Sequence, residues 1–285
     1  MESIKIVFSG EDEAGMLVAR QLREKFGFSG EGIISEGERR FKAWKNESLP
    51  IELIEVKERL SRDCEYIAGL PEVFACKLII FASRHVSASG TPCFTAHATG
   101  NFTEKNEFGG NALELGRTSA RASACLIRWL KRQESNFAGY GVFREATHHG
   151  PTSLPWPSFF AELGSTQANW RDEKAAAHLA EAIIFTAKNW EKEEGTPSVG
   201  FGGTHYCSKF SQMEWEGKKC FSHVASKHSL DGMELRSVQQ ALEKTAESAG
   251  GKEVEFLLDW KGTTLPQREK LIKLFQETGG KWKRI

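Results

Sequence analysis

The chain has 285 residues, of which 40% are hydrophobic and 27% are charged, and its 38 lysines and arginines balance 38 aspartates and glutamates. This composition is ordinary for a globular protein with a sizeable core, and it excludes a polycation that binds nucleic acid over its whole surface. No run reaches the roughly 20 apolar residues of a membrane span, and the N-terminus lacks the pattern of a secretory leader. The six cysteines form no C-x-x-C pair. We therefore expect a cytoplasmic protein with reduced thiols and no membrane contact.

The predicted elements alternate between strands and helices along the chain. In order, we predict a strand at 4–9, a helix at 14–25, loop and irregular structure at 26–50, strands at 51–56, 77–83 and 91–98, a glycine- and asparagine-bearing loop at 101–116, a helix at 117–132, strands at 140–147 and 159–163, a helix at 170–190, strands at 198–202 and 219–224, a helix at 235–249, a strand at 253–258 and a helix at 266–278. This alternation predicts an α/β protein, a three-layer αβα sandwich on a mixed sheet. Without an internal repeat or a low-complexity linker, a single domain over 1–285 is expected.

Four of the strand-like apolar runs end at histidine. They lead to His85, to His97, to the pair His148 and His149, and to His205. Ligands of α/β sheets bind beyond the carboxyl ends of the strands, so mostly parallel strands would bring these imidazoles to one edge. Because imidazole is the commonest metal ligand and titrates near neutral pH, this arrangement predicts a catalytic pocket.

Two of these segments are the most specific. Adjacent strand residues face opposite sides, but Gly150-Pro151 ends the strand at once and lets the His149 ring turn towards the His148 side. The glycines of Gly200-Phe201-Gly202-Gly203 favour close approach of the backbone to a ligand or to an anion. We expect the amides of 202–204 to donate hydrogen bonds to a developing oxyanion.

A carboxylate stands inside one apolar run. Glu162 follows Phe159-Phe160-Ala161 and is costly to bury unless it is paired or catalytic. It could bind metal, orient an imidazole or act as general base on a water. The alternative is that strand alternation leaves Glu162 on a solvated face. His223 and His228 are less clearly placed, and either could line the rim of the pocket.

The basic charge is concentrated in two segments that also contain aromatic residues. Arg39–Lys45 and Lys281–Arg284 interleave cations with rings, the mixture that phosphate pairing and base stacking require. The alternative for each segment is an ordinary solvated surface. With a net charge of zero, two such patches favour RNA modestly.

Taken together, the motifs resemble the archaeal and plant type of D-aminoacyl-tRNA deacylase over essentially the whole chain. The blocks that carry the resemblance are 83–87, 95–102, 147–154, 162–166, 202–206 and 259–262. It implies a three-layer fold similar to peptidyl-tRNA hydrolase and purine nucleoside phosphorylase, zinc as cofactor, and hydrolysis of the ester between a D-amino acid and the 3′ end of tRNA. No obligatory protein partner is inferred.

Residue roles follow as hypotheses from these two lines of reasoning. The predicted catalytic residues are Glu162, His149, Thr147 and His205, and the predicted zinc ligands come from His85, His97, His148, His149 and His205. The predicted substrate contacts are Ser87, Asn101, Gly202, Gly203, Thr204, Tyr206 and Lys227. Two other functions stay open: a zinc-dependent amidohydrolase or peptidase acting on small molecules, and a non-catalytic tRNA-binding protein whose histidines are structural.

Overall fold

Twelve strands and ten α-helices alternate through residues 3–285, the part of the chain that this computed structural model describes. The strands are β1 (Ile4–Ser9), β2 (Phe28–Glu36), β3 (Arg39–Asn46), β4 (Ile51–Val56), β5 (Leu78–Val86), β6 (Cys93–His97), β7 (Gly141–Arg144), β8 (Ser158–Ser165), β9 (Thr196–Phe201), β10 (Lys219–Ala225), β11 (Glu255–Leu258) and β12 (Lys281–Arg284). The helices are α1 (Glu13–Lys25), α2 (Leu60–Asp63), α3 (Pro71–Phe74), α4 (Ala120–Arg132), α5 (Gln167–Trp170), α6 (Glu173–Asn189), α7 (Ser208–Trp215), α8 (Lys227–Leu230), α9 (Leu235–Ser248) and α10 (Leu265–Thr278). None of the helices in this part of the chain is long and apolar enough to cross a bilayer.

Eight strands form a large mixed sheet in the order β2-β3-β4-β1-β5-β8-β6-β7. Strands β1, β4, β5 and β8 run parallel to one another. Strand β6 pairs antiparallel with β8, and β7 runs parallel to β6, so these two strands point the opposite way. The β2–β3 hairpin extends the other end of the sheet through an antiparallel pair between β3 and β4. The predicted α/β sandwich on a mixed sheet is confirmed.

Alternate residues of the central strands face two different cores, because successive side chains of a strand point to opposite sides. Ile80 and Phe159 face the cluster that helices α1, α4 and α6 cover. Phe81 and Phe160 face a second cluster under the short helices α2 and α3. Full burial of an aliphatic or aromatic side chain of this size contributes about 1.5–3 kcal/mol, so the central strands are the best stabilised.

The remaining four strands form a second, parallel sheet in the order β10-β9-β11-β12. Helices α9 and α10 pack on one face through Val238, Leu271 and Phe275. Helix α7 packs on the other face, where Phe210 meets Phe221 at a ring-centroid distance of 5.1 Å. Helix α4 contacts both sheets, since its Ala120 and Ala124 pack on Cys220 of β10. The single domain over 1–285 stays a prediction.

The structure corrects the prediction of irregular structure over 26–50. This region is the β2–β3 hairpin, whose exposed side chains alternate with Phe41, Ala43 and Trp44 in the core. Glycines and charged residues in β2 hid the strand pattern, because an edge strand with one solvated face has few apolar residues. The predicted basic segment 281–284 is likewise a strand, β12, that adds to the second sheet.

Candidate active site

Three predicted site residues meet on one face of the large sheet. His85 of β5, Glu162 of β8 and His97 of β6 are all buried, at 4%, 4% and 0% exposed. Glu162 pairs in register with Ser83 on one side and Thr95 on the other, while His97 lies opposite Phe160. The expected meeting of imidazoles is confirmed. The expected common carboxyl edge is wrong, because β6 is antiparallel to β8 and its last residue lies opposite Phe160, near the start of that strand.

The segment after β7 carries further side chains to this face as it passes from one sheet to the other. The Glu145 amide donates to the Ala96 carbonyl of the large sheet, and the Thr147 amide donates to the Val224 carbonyl of the small one. His149 then adopts a positive φ of 45°. This turn places the rings of His148 and His149 side by side, with centroids 4.4 Å apart. Both imidazoles serve one site because the strand has already ended.

Carboxylates and imidazoles alternate along a chain of five side chains. Glu162 lies 3.6 Å from His97 Nε2 through one oxygen and 3.4 Å from His85 Nδ1 through the other. Glu145 lies 3.2 Å from His85 Nδ1 and 2.6 Å from His205 Nε2. The hydroxyl of Tyr206 contacts His85 Nε2 at 3.0 Å. Each carboxylate therefore lies between the ring nitrogens of two imidazoles.

These contacts determine the charges of Glu145, Glu162 and His85. Burial alone would raise the pKa of Glu162, but the His85 and His97 imidazoles, 3.4 and 3.6 Å from its oxygens, outweigh burial and lower it. The same balance, with hydrogen bonds from His205 and His85, holds the pKa of Glu145 well below its usual range. Burial opposes protonation of His85, yet its hydrogen bonds to the two carboxylates raise its pKa to about 12. Burial also opposes protonation of His97, yet the contact with Glu162 raises its pKa above the usual value. At neutral pH the centre holds two carboxylates with the His85 imidazolium between them.

The other imidazoles of the cluster are anchored differently. The Nδ1 atoms of His148 and His149 contact the backbone oxygens of Ala146 at 2.8 Å and Gly150 at 2.7 Å. Burial is the largest cause that lowers both pKa values, followed by the neighbouring imidazole His97, and the pKa of His149 falls to about 4. These two rings are therefore neutral near pH 7, with Nδ1–H donating to the backbone and the lone pair on Nε2.

The donor set fits a divalent metal ion. His97, His148 and His149 each offer one ligand atom within 4.8 Å of the others, and Glu145 forms a second such group with His148 and His205. His97 Nδ1 contacts the Ala98 carbonyl at 3.1 Å, while Glu162 approaches its buried Nε2 only at 3.6 Å, beyond hydrogen-bond distance. Three imidazoles held by backbone carbonyls are the ligand set of many catalytic zinc sites.

A cavity of about 510 Å³ opens beside this cluster. Its inner wall consists of cluster side chains and one aromatic ring, namely His85, His148, His149, Phe160, Glu162 and His205. Its outer wall lies at the carboxyl ends of β1, β4 and β5 and includes Ser9, Glu11, Asp12, Arg59, Leu60, Ser61, Arg62, Ser83, Arg84, Val86 and Phe108. Glu145 lies behind the inner wall. Glu162 is therefore the cluster carboxylate that meets the cavity, and the alternative of a solvated face is wrong.

Several predicted site residues lie away from the cavity wall. The Thr147 hydroxyl accepts from the Val224 amide at 3.1 Å and lies 3.3 Å from Nδ1 of the buried His223, so it faces β10. The Ser87 hydroxyl contacts Ser89 at 3.0 Å. Asn101 donates to the carbonyls of Gly109 at 2.9 Å and Asn111 at 3.1 Å, which anchors the loop that carries Phe108.

The glycine segment after β9 does not supply the expected amides. The Gly202 N–H donates to the Ala225 carbonyl at 2.8 Å, and the Gly203 N–H donates to the Gly262 carbonyl at 3.1 Å. Both donors are already used, so the expectation that these two amides meet an oxyanion is wrong. The side chains of Thr204 and Lys227 are exposed and do not line the cavity. His228 is also exposed.

The aromatic rings of the first basic segment are not available to stack on bases. Phe41 and Trp44 are each 4% exposed because they pack into the two cores of the large sheet. Arg39 and Lys42 pair with Glu58 and Glu55 at 2.9 and 3.4 Å. The mixture of cations and exposed rings expected there is found instead at the cavity, where sequence reasoning missed Arg62, Arg84 and Phe108.

Sequence reasoning also missed Glu145. Its signal is the run Phe143-Arg144-Glu145-Ala146-Thr147, which places two charges in a strand-like segment just before the histidine pair. The partner of Arg144 is Glu214, with both side chains buried and Arg144 Nε 2.7 Å from Glu214 Oε2. That pair leaves Glu145 free to turn towards the imidazoles.

Comparisons with known proteins agree with the resemblance found in the sequence. The family model described as D-aminoacyl-tRNA deacylase matches residues 73–283. The D-aminoacyl-tRNA deacylase of Thermococcus kodakarensis is 32% identical over 97% of this chain and 98% of its own. That of Pyrococcus horikoshii is 34% identical over 94% of each chain. The crystal structure of a conserved protein of unknown function superposes with a TM-score of 0.86 at 26% identity, covering 99% of this chain and 95% of its own.

Proposed function

The chain belongs to the D-aminoacyl-tRNA deacylase family, and on this premise we propose that its imidazole–carboxylate cavity hydrolyses the ester joining a D-amino acid to the 3′ end of tRNA. The observation that carries the proposal is the alternation His97–Glu162–His85–Glu145–His205 beside an open cavity, in which all members except the half-exposed His205 are buried. Ionised carboxylates this well buried are costly unless they serve chemistry or hold a cation.

The proposed reaction uses water as nucleophile. Glu162 meets the cavity as a carboxylate and accepts a proton from the attacking water. The oxygen then bonds to the ester carbonyl carbon, and the bond between that carbon and the ribose oxygen breaks as the ribose oxygen takes up the proton held by Glu162. The products are the free D-amino acid and tRNA with a 3′-terminal hydroxyl.

The other residues prepare the charges for this step. His85 stays protonated between Glu145 and Glu162, so a positive charge is in place before negative charge develops on the carbonyl oxygen. Glu145 lies behind His85 and fixes the orientation of that ring and of His205. Glu145 is a positioning residue, because it does not line the cavity.

We also propose zinc as the cofactor, held by Nε2 of His97, His148 and His149. Zinc held there would supply Lewis acidity, which lowers the pKa of water to about 7 and polarises a carbonyl oxygen. The support is the chemistry of the donor set: three imidazoles, at least two of them neutral at pH 7, with their Nδ1 atoms at backbone carbonyls. We place the reaction in the cytoplasm, without an obligatory protein partner.

The test is hydrolysis of matched D- and L-aminoacyl-tRNA, with and without a chelator. We expect release of the D-amino acid only, and loss of activity after chelation that zinc restores. Glu162→Gln should abolish most of the activity, whereas Glu216→Gln, which changes an exposed carboxylate of similar shape, should not. Equal rates on both enantiomers would overturn the proposed specificity, and full activity in a metal-free preparation would remove zinc.

Two further outcomes separate the alternative functions. Hydrolysis of a free D-aminoacyl ester as fast as of the charged tRNA would favour a zinc-dependent amidohydrolase or peptidase. Salt-sensitive tRNA binding without ester cleavage, in the presence of added zinc, would favour a non-catalytic binder.

A further inference from the structure

Three arginines and two exposed apolar side chains surround the mouth of the cavity. We call this group, Arg59, Arg62, Arg84, Val86 and Phe108, the rim. Arg59 and Arg62 follow β4, Arg84 and Val86 lie at the end of β5, and Phe108 lies in the loop over 101–116. The rim adjoins the catalytic side chains, because its five residues line the same cavity as His85 and Glu162.

The rim arginines have few carboxylate partners. Within residues 3–285, Arg62 and Arg84 have no carboxylate oxygen within 4.0 Å, and Arg59 reaches Glu11 only at 3.8 Å, with both side chains about two-thirds exposed. Asp12 also lines the cavity, but its oxygens accept from the amides of Gly15 at 2.8 Å and Arg84 at 3.0 Å. The Arg84 guanidinium lies 5.3 Å from the centre of the Trp170 ring, a contact that leaves its charge uncompensated. Guanidinium groups without a carboxylate partner beside a cavity are suited to bind phosphate.

The apolar members of the rim are unusually exposed. Val86 is 67% exposed and Phe108 is 64% exposed, whereas most large apolar side chains of the described chain are buried. The Arg62 guanidinium lies 5.9 Å from the centre of the Phe108 ring. An exposed ring next to an arginine is the pairing that binds an unpaired base and its phosphate.

The loop that presents Phe108 is held in place. Gly109 has a φ of 105°, and a Cβ there would lie 2.1 Å from the Ser61 carbonyl, so this loop packs directly on the segment that carries Arg59 and Arg62. Asn101 bonds the Gly109 and Asn111 carbonyls from inside the loop. The backbone segments that carry Phe108 and Arg62 are therefore held at a fixed spacing, which reduces the entropy lost on binding.

We infer that the rim binds the unpaired 3′-terminal nucleotides of the tRNA, with a base stacked on Phe108 and phosphates on Arg62 and Arg84. This inference rests on the proposed function and assigns its substrate-binding residues. The cavity of about 510 Å³ lies within the range of about 300–1,000 Å³ that encloses drug-sized ligands, so it has room for the terminal nucleoside together with its aminoacyl group. Phosphate pairing and base stacking at the rim do not distinguish one amino acid from another. Selection of the amino acid is therefore left to the inner wall of the cavity.

The experiment compares four variants on two substrates and one binding probe. The variants are Arg62→Gln, Phe108→Leu, the conservative Phe108→Tyr and the control Arg132→Gln, which removes an exposed arginine at the end of α4, away from the cavity. The substrates are D-aminoacyl-tRNA and a free D-aminoacyl methyl ester. The probe is an uncharged RNA minihelix that ends in CCA, with its Kd measured at several salt concentrations.

We expect Arg62→Gln and Phe108→Leu to lower kcat/KM on D-aminoacyl-tRNA and to weaken minihelix binding, by about 5- to 100-fold for the loss of one stacked base. Hydrolysis of the methyl ester should not change. Arg62→Gln should also reduce the salt slope of log Kd by about 0.7, because one phosphate contact is lost, whereas Phe108→Leu should leave the slope unchanged. Phe108→Tyr should restore binding, since it keeps the ring.

Other results would overturn the inference without affecting the proposed function. If the wild-type protein deacylates tRNA and both rim variants behave like Arg132→Gln, the rim does not bind the RNA. If the rim variants impair the methyl ester equally, the rim contacts the amino acid instead. If the wild-type protein deacylates nothing, the proposed function fails, and the minihelix titration still decides whether the rim binds RNA.

Discussion

The Nε2 atom of His205 lies 2.6 Å from Oε2 of Glu145, a contact that spans 60 positions of sequence. Glu145 follows β7 of the large sheet, and His205 follows β9 of the small one. The same carboxylate also reaches His85 at 3.2 Å. One buried side chain therefore connects imidazoles from both sheets.

Replacing Glu145 by Gln should lower activity on D-aminoacyl-tRNA without unfolding the protein. The amide has a similar shape but no charge, so His85 and His205 lose the group that orients them. Loss of such an orienting partner costs about 10- to 100-fold in activity or metal affinity. Steady-state kinetics and thermal unfolding of Glu145→Gln measure the two effects separately. Unchanged kcat/KM would show that Glu145 has no positioning role.

Single replacements of His97, His148 or His149 by Gln should reduce zinc content. Each removes one proposed ligand, and the affinity should fall at least as much as for a lost orienting partner, about 10- to 100-fold or more. Elemental analysis after equilibrium dialysis measures the effect independently of activity. His178→Gln is the matched control, because His178 lies among Phe94, Trp129 and Phe137 outside the site. Wild-type zinc content in all three variants would exclude this ligand set.

His223 should make the protein sensitive to acid. Burial is the main cause that lowers its pKa to about 3, with a smaller contribution from Lys244. The unfolded chain takes up a proton at this histidine near pH 6.5 while the folded chain stays neutral, so stability is full above that pH and is lost as pH falls. The loss attributable to this group is about 1 kcal/mol per pH unit between roughly pH 6 and pH 4.

Urea unfolding of His223→Asn across this pH range tests the prediction. The variant should be less stable at pH 7, because a buried side chain has been replaced, but its stability should fall less steeply towards pH 4 than that of the wild type. Parallel pH profiles for the two proteins would show that another group causes the acid sensitivity.

Breaking the buried pair between Arg144 and Glu214 should strongly destabilise the fold. Their side chains are 1% and 0% exposed, and the guanidinium donates to both carboxylate oxygens at 2.7 and 3.0 Å. Glu214→Gln leaves Arg144 as a buried charge without its counter-ion, which costs about 3–5 kcal/mol. Denaturant unfolding measures the loss. The double variant Arg144→Met, Glu214→Leu should lose less than the sum of the single variants.

Replacing Gly109 by Ala should cost more than the backbone strain alone. Gly109 and Gly139 have similar positive φ values, 105° and 96°, but only Gly109 has a neighbour, the Ser61 carbonyl, at 2.1 Å from the added Cβ. Gly139→Ala therefore serves as the control for strain, about 1–2 kcal/mol. We expect Gly109→Ala to lower both stability and kcat/KM on tRNA beyond that control. Equal effects would show that the loop moves freely away from Ser61.

The sequence was sufficient for the strongest elements and for most of the imidazole cluster. Fully buried strands such as β5 and β8 have long apolar runs, and a histidine or a carboxylate in them is conspicuous. The β2–β3 hairpin was missed because its solvated face and its glycines leave no apolar run. Apolar runs therefore predict only those strands and helices that have a large buried face.

The positions of Glu145 and of the rim could not be predicted, because they depend on strand direction and register. Nothing in the segment 93–97 indicates that β6 runs antiparallel to β8, yet that pairing places His97 beside Phe160 and Glu162. The prediction that the Gly202 and Gly203 amides bind an oxyanion was wrong for a similar reason. These amides donate instead to the carbonyls of Ala225 and Gly262, which are distant in sequence. Partners that are distant in sequence decide both results.

The crossing of residues 145–149 between the sheets has a consequence for how the enzyme could be divided. A fragment limited to 3–165 would retain Glu162 and four of the clustered histidines, yet it would lack His205 and Tyr206, together with the β10 backbone that anchors Thr147. We expect neither half to hydrolyse the substrate alone, and a split protein should regain turnover only when both pieces reassociate. Deacylation would then report complementation of the two fragments.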